Sequence, residues 1–134
     1  MHLDDCVFFS LTTAARRASK YWKQHVTGFG VTGVQAMVLH ALQEGDRILS
    51  VELGERTQLD SATLTGVLDR LERDGLIERQ RHDRDRRAIL ICLTPQGREL
   101  AEQIHPVMEQ ANRSFTGNLS DAELEQLKAL LARL

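Results

Sequence analysis

The chain has 134 residues, with 19 acids against 17 lysines and arginines and a net charge of −2. That length predicts one domain that folds without disulfide or metal staples, and no apolar run nears the roughly 18 to 20 residues of a membrane span. The charge balance excludes a uniformly basic nucleic-acid binder, and Cys6 and Cys92 fit neither a disulfide framework nor a zinc finger.

The first residues, Met1-His2-Leu3-Asp4-Asp5, are acidic where a secretory signal is basic, so a cytoplasmic protein is expected. Residues 3–26 place Leu3, Val7, Phe8, Leu11, Ala14, Ala15, Ala18 and Trp22 at helical spacing. Thr27-Gly28-Phe29-Gly30 breaks that helix. Thr32 and Gln35 then have the spacing of a capping box. The helix behind them is expected to bury Val34, Met37, Val38, Ala41 and Leu42 and to end at Gly45 as a C′ glycine. Ile48-Leu49 reads as a strand stub. Ser50 is expected to cap a short helix to about Thr57 that buries Val51 and Leu53.

Gln58-Leu59 turns the chain, and Asp60 or Ser61 caps a helix over 61–74. Its stripe is Leu64, Val67, Leu68 and Leu71, at i, i+3, i+4, i+7. Gly75 and Leu76 give it a Schellman ending. Leu76–Arg81 and Ala88–Leu93 read as strands around a charged tip, His82–Arg87. Residues 79–87 hold five Arg against two Asp, a local charge of +3 on a mildly acidic chain. Such a cluster suits an anion-binding device, although a solvated hairpin has the same composition. Thr94-Pro95 starts a further helix, and Pro106 is expected to kink it. Ser120 to Glu123 forms a second capping box. Leu124, Leu127, Leu130, Leu131 and Leu134 follow at helical spacing.

Two short helices joined by a tight turn and followed by a two-stranded hairpin describe a winged helix-turn-helix. The fold class expected is mainly α with a small β-wing, flanked by N- and C-terminal dimerisation helices. In such a fold the second helix enters the DNA major groove. Its exposed first turn is short and polar here: Ser61, Ala62, Thr63, Thr65 and Gly66. Short side chains let the backbone approach base edges, and hydroxyls reach bases or phosphates. The arginine-rich tip suits the adjacent, narrower minor groove.

Three segments then carry a resemblance. Asp60 to Arg79, Asp83 to Ala88 (Asp-Arg-Asp-Arg-Arg-Ala) and Leu93 to Gly97 (Leu-Thr-Pro-Gln-Gly) are similar to the MarR family of bacterial transcriptional regulators. The likeness runs from about Val31 to Leu100. It implies a homodimer whose terminal helices, about 3–26 and 95–134, intertwine around DNA-binding lobes of about 32–97. It implies that Arg87 reaches the minor groove, that Asp85 orients it, and that Arg84 and Arg86 lie on the backbone. It maps recognition onto Ser61, Ala62, Thr63, Thr65 and Gly66, with Arg70 and Arg73 as phosphate or intradomain partners. Gly66 departs from the many members that have a basic residue there. The expected partner is double-stranded DNA, a pseudo-palindromic operator read by two recognition helices about one helical turn apart. Regulation would come from a small aromatic or anionic effector in a pocket near Trp22, Phe29, Met37 and His40.

Cys6 has two readings. Leu59 to Thr65 resemble the branch of the family that senses organic hydroperoxides through one cysteine in the first helix. Tyr21 and Trp22 lie near one position where that branch has a tyrosine, while Val34 to Met37 supply none at the other. Read alone, Cys6 is a small packing residue, and Cys92 in its apolar strand is another. The five histidines are scattered and predict no metal site. His40 reads as a satisfied, largely buried histidine, and His82 as a phosphate contact. No nucleophile elbow, phosphate loop or dinucleotide fingerprint occurs, so neither catalysis nor a cofactor is expected. A protein-interaction winged helix that binds no DNA is the remaining alternative.

Overall fold

A computed structural model describes residues 1–45 and 47–134. It divides into two units: Met1–His25 with Val107–Leu134, and Val26–Pro106.

The second unit is the winged lobe. It contains α2 (Gly33–Glu44), β1 (Ile48–Leu49), α3 (Ser50–Thr57), α4 (Ser61–Arg73), β2 (Ile77–Arg81), β3 (Ile89–Leu93) and the first half of α5 (Pro95–Phe115). The three strands form an antiparallel sheet in the order β1-β3-β2, with Ile48 opposite Ile91 and Arg79 opposite Ile91 on the other side. Strand β3 is central, which is why it is the apolar one: Leu90 to Leu93 are buried, while β2 buries only Ile77.

Three helix starts in this lobe, those of α2, α4 and α5, have a side-chain cap. Thr32 Oγ1 accepts from the Gln35 N–H at 3.1 Å and Gln35 Oε1 accepts from the Thr32 N–H at 2.8 Å. Asp60 caps α4, and Thr94 caps α5 by accepting from the Gly97 N–H at 3.0 Å. Helix α4 ends in the Schellman pair, Leu76 N–H to Leu71 O at 2.9 Å and Gly75 N–H to Glu72 O at 3.0 Å, with Gly75 at φ 74°. Thr94 Oγ1 also donates to Gly75 O at 2.6 Å, so one hydroxyl joins the end of α4 to the start of α5. Gly97 is obligatory there, because a Cβ would overlap the Leu76 carbonyl.

Five expectations are corrected. Helix α2 buries Gln35, Ala36, Val38, Leu39, Ala41 and Leu42, while Val34 and Met37 are 42% and 46% exposed. The helix is apolar on two adjacent faces, and the face with Gln35 and Leu39 is the one that turns inward. Val51 is 75% exposed, leaving Leu53 as the buried residue of α3. Ser50 is the first residue of α3 and makes no cap bond; Leu49 stands at the N-cap. Gly45 is extended, at φ −146°, and the left-handed residue is Arg47 at φ 56°. What Gly45 provides is space, since a Cβ would lie 2.9 Å from an Arg56 guanidinium nitrogen and 3.1 Å from Ile48 Cδ1. Helix α4 stops at Arg73, with Asp74 as its C-cap.

The other unit is helical. A 3-10 turn at Leu3–Asp5 precedes α1 (Val7–Val26), so the expected helix over 3–26 is interrupted at Cys6, which is extended. The second half of α5 and α6 (Asp121–Leu131) complete it, with Ser120 and Glu123 forming the reciprocal cap of α6. Tyr21 packs against Phe115 at 5.2 Å between ring centres. Most apolar side chains of this unit remain open: Leu3, Val7, Phe8, Leu127, Leu130 and Leu131 are all exposed. Helix α5 runs through Pro106. Among the described residues no helix is long and apolar enough to cross a membrane.

Candidate nucleic-acid interface

Helix α4 buries Leu64, Val67, Leu68 and Leu71 and so turns Ser61, Ala62, Thr63, Thr65 and Gly66 to solvent, together with Arg70 and Arg73. Its N-terminus is held open by Asp60. The Asp60 carboxylate accepts from the Thr63 N–H at 2.8 Å and from the Thr63 hydroxyl at 2.9 Å. These two bonds hold its pKa below the ordinary carboxylate value. Helix N-termini in general carry N–H groups without intrahelical partners, which suit phosphate.

The wing tip is built by side chains that serve the backbone. His82 Nδ1 accepts from the N–H of Arg84 at 3.1 Å and of Asp85 at 3.3 Å. Asp85 Oδ1 accepts from the Arg87 N–H at 2.9 Å. His82 is thus a turn organiser, a role that its place in a charged run did not suggest. Asp85 positions Arg87 through the backbone. Arg84, Arg86 and Arg87 are exposed, and among the described residues none of them forms an ion pair.

Arg79 differs from the rest of the cationic run. Its guanidinium binds Asp69 Oδ1 at 2.8 Å and Glu72 Oε1 at 2.9 Å, and its N–H reaches Glu72 Oε2 at 3.3 Å. Partial burial opposes its charge, but the hydrogen bonds and the attraction of the two carboxylates outweigh this and raise its pKa above the ordinary value. Counting charges along residues 79–87 therefore overstates the free cation at the wing. The clamp joins positions seven and ten apart, so no local pattern could have shown it.

The residues expected at an effector pocket are divided. Met37 and His40 line one cleft of about 570 Å³ with Val34, Arg56 and Leu59. Phe29 lines another of about 340 Å³ with Leu76, Glu99 and Leu100. Trp22 belongs to the helical unit, on α1. His40 is not fully satisfied: Nε2 lies 3.3 Å from Glu44 Oε1, while Nδ1 is buried without a partner, and the ring stacks on His105 at 5.3 Å. Cys6 is half-buried and Cys92 buried, and neither is in a disulfide. Among the described residues no group of His, Cys, Asp or Glu is arranged to hold a metal.

This arrangement has counterparts. A model of the MarR family matches residues 29–88, which include α2 to the wing tip. The chain is 33% identical over 134 residues to the organic hydroperoxide resistance transcriptional regulator of Bacillus subtilis, covering 100% of this chain and 90% of that one. The chain belongs to the MarR family. Among solved structures, this MarR-family chain superposes on Bordetella bronchiseptica BpsR with a TM-score of 0.92 at 32% identity, covering 99% and 95% of the two chains. The BpsR structure addresses regulation of its DNA binding by 6-hydroxynicotinic acid. A MarR variant from Escherichia coli in complex with operator DNA gives a TM-score of 0.84 at 27% identity, covering 92% and 89%. Helix α4 and the β2–β3 hairpin of this MarR-family lobe are thus the second helix and the wing of a winged helix-turn-helix.

Proposed function

We propose that this chain is a homodimeric, DNA-binding transcriptional repressor that takes a pseudo-palindromic operator and is released by a small effector. The observation that carries the reading is the pairing of an N-capped helix, short and polar in its first turn, with three unpaired arginines at an adjacent wing tip. The first suits a major groove and the second a minor groove. The open leucines of α6 and the exposed apolar residues at the start of α1 support self-association, since contiguous exposed apolar surface marks an interaction face. The likeness to a BpsR structure concerned with 6-hydroxynicotinic acid supports a small aromatic or anionic effector, and the Met37–His40 cleft is the proposed site. An effector controls binding only by its unequal affinity for the two arrangements.

The test is fluorescence anisotropy of the protein with its own upstream intergenic DNA at two salt concentrations. Tight binding that falls steeply with salt is expected. Weak, salt-indifferent binding to that DNA and to duplexes enriched from a random pool would leave the protein-interaction reading.

A second reading, redox sensing through Cys6, is favoured by the 33% identity to the hydroperoxide resistance regulator. Cys6 stands just before α1, half-buried, and a sensing thiol needs access and thiolate character. If peroxide releases DNA from a Cys6→Ser variant as it does from wild type, this reading fails.

A further inference from the structure

The first turn of α4 carries two threonines whose hydroxyl hydrogens are already engaged. Thr63 Oγ1 donates to Asp60 Oδ2 at 2.9 Å, and Thr65 Oγ1 donates to the Ser61 carbonyl at 2.8 Å. A hydroxyl has one hydrogen to give. On the exposed surface of α4 each threonine therefore offers a γ-methyl and an acceptor lone pair, and no donor. Ala62 adds another methyl. Gly66 adds no side chain, and nothing lies within 4 Å of where its Cβ would stand.

Base edges differ in what they ask of such a surface. Guanine shows two acceptors in the major groove, N7 and O6, and needs donors opposite them. Thymine shows its C5-methyl, and adenine its N6 amino donor. An acceptor meets the amino donor of adenine or of cytosine alike, so the methyl is what discriminates: it matches thymine, and neither group satisfies guanine. Resting on the DNA-binding reading above, we propose that Thr63 and Thr65 determine specificity by reading A·T pairs through the thymine methyl. The two helix-internal hydrogen bonds are what convert these residues from versatile hydroxyls into methyl readers.

The experiment enriches binding sites from a random duplex pool, then replaces each half-site thymidine by deoxyuridine, which lacks only the methyl. A·T pairs are expected at the centre of each half-site. Each removed methyl that the helix contacts should weaken binding about fourfold, the worth of one buried methyl group, with the salt slope unchanged. Thr65→Val keeps the methyl and should keep the loss on deoxyuridine substitution. Thr65→Ser loses it and should bind thymidine about fourfold more weakly, with no further loss on deoxyuridine. Tight, salt-sensitive binding to half-sites without central A·T pairs, or indifference to deoxyuridine throughout, would overturn the inference and leave DNA binding intact. Failure to enrich any duplex would overturn the DNA-binding reading and this inference with it.

Discussion

The Arg79 guanidinium holds the Asp69 carboxylate at 2.8 Å and thereby ties strand β2 to the middle of α4. Glu72 completes the clamp one turn further along the helix. Asp69 is well exposed, so solvent screening limits what the network contributes. Arg79→Met should lower stability by about 1 kcal/mol, read as a shift in the urea midpoint, and by less in high salt. DNA affinity should fall while its salt slope stays that of wild type. A slope reduced by about one would mean that Arg79 meets a phosphate after all.

Asp60 gives the lobe an acid sensitivity whose sign follows from its partners. The folded pKa is depressed by the bonds from Thr63, so the stabilisation is present above the unfolded carboxylate value. It is lost as pH falls through the folded value. Asp60→Asn, still a competent cap, should flatten this part of the acid-unfolding curve. Hydrogen exchange of the Thr63 amide should accelerate at acid pH in wild type more than in the variant.

Two glycines should respond oppositely to alanine. Gly97→Ala drives a methyl into the Leu76 backbone and should destabilise by about 2 to 3 kcal/mol. Gly66→Ala meets open space on an exposed helix and should stabilise by up to about 1 kcal/mol. Thermal unfolding reads both. Gly66→Ala should also weaken DNA binding if the backbone approaches base edges there, which separates its effect on folding from its effect on recognition.

Arg87→Ala should weaken binding across unrelated sequences and reduce the salt slope by about one, because its charge is not engaged within the lobe. Equal affinity of this variant and wild type would remove the wing from the interface.

Leu130→Glu places a charge on the open face of α6. Sedimentation should show dissociation to monomers at concentrations where wild type is dimeric, with the winged lobe still folded by circular dichroism. A variant that remains dimeric would move the self-association face elsewhere.

Local chemistry made much of this fold readable. The pairs Thr32–Gln35 and Ser120–Glu123, the Asp60 and Thr94 caps and the Gly75–Leu76 ending lie within a few residues of their partners, so spacing was sufficient. The stripe of α4 was equally plain because only one of its faces is apolar. Helix α2 was not, because Val34 and Met37 compete with Ala36 and Leu39 for the inward face, and only packing decides between them. Val51 failed for a related reason, since two apolar residues only two positions apart, Val51 and Leu53, point to different faces of an eight-residue helix and set no phase. At the candidate interface the exposed arginines were legible from their run, whereas the diversion of Arg79 depends on tertiary approach. The bonds that disarm Thr63 and Thr65 as donors depend on rotamers, which composition does not record.

Ile48 and Leu49 lie between α2 and α3, yet they pair with the central strand of the wing, opposite Ile91 and Leu90. The hairpin is thus laced on its far edge to the chain that leads into the helix-turn-helix, as well as clamped by Arg79 on its near one. A wing tethered at one edge could swing; this one would have to unzip a ladder first. Moving the wing relative to α4 would therefore require breaking the β1–β3 pairing and the Arg79 clamp together.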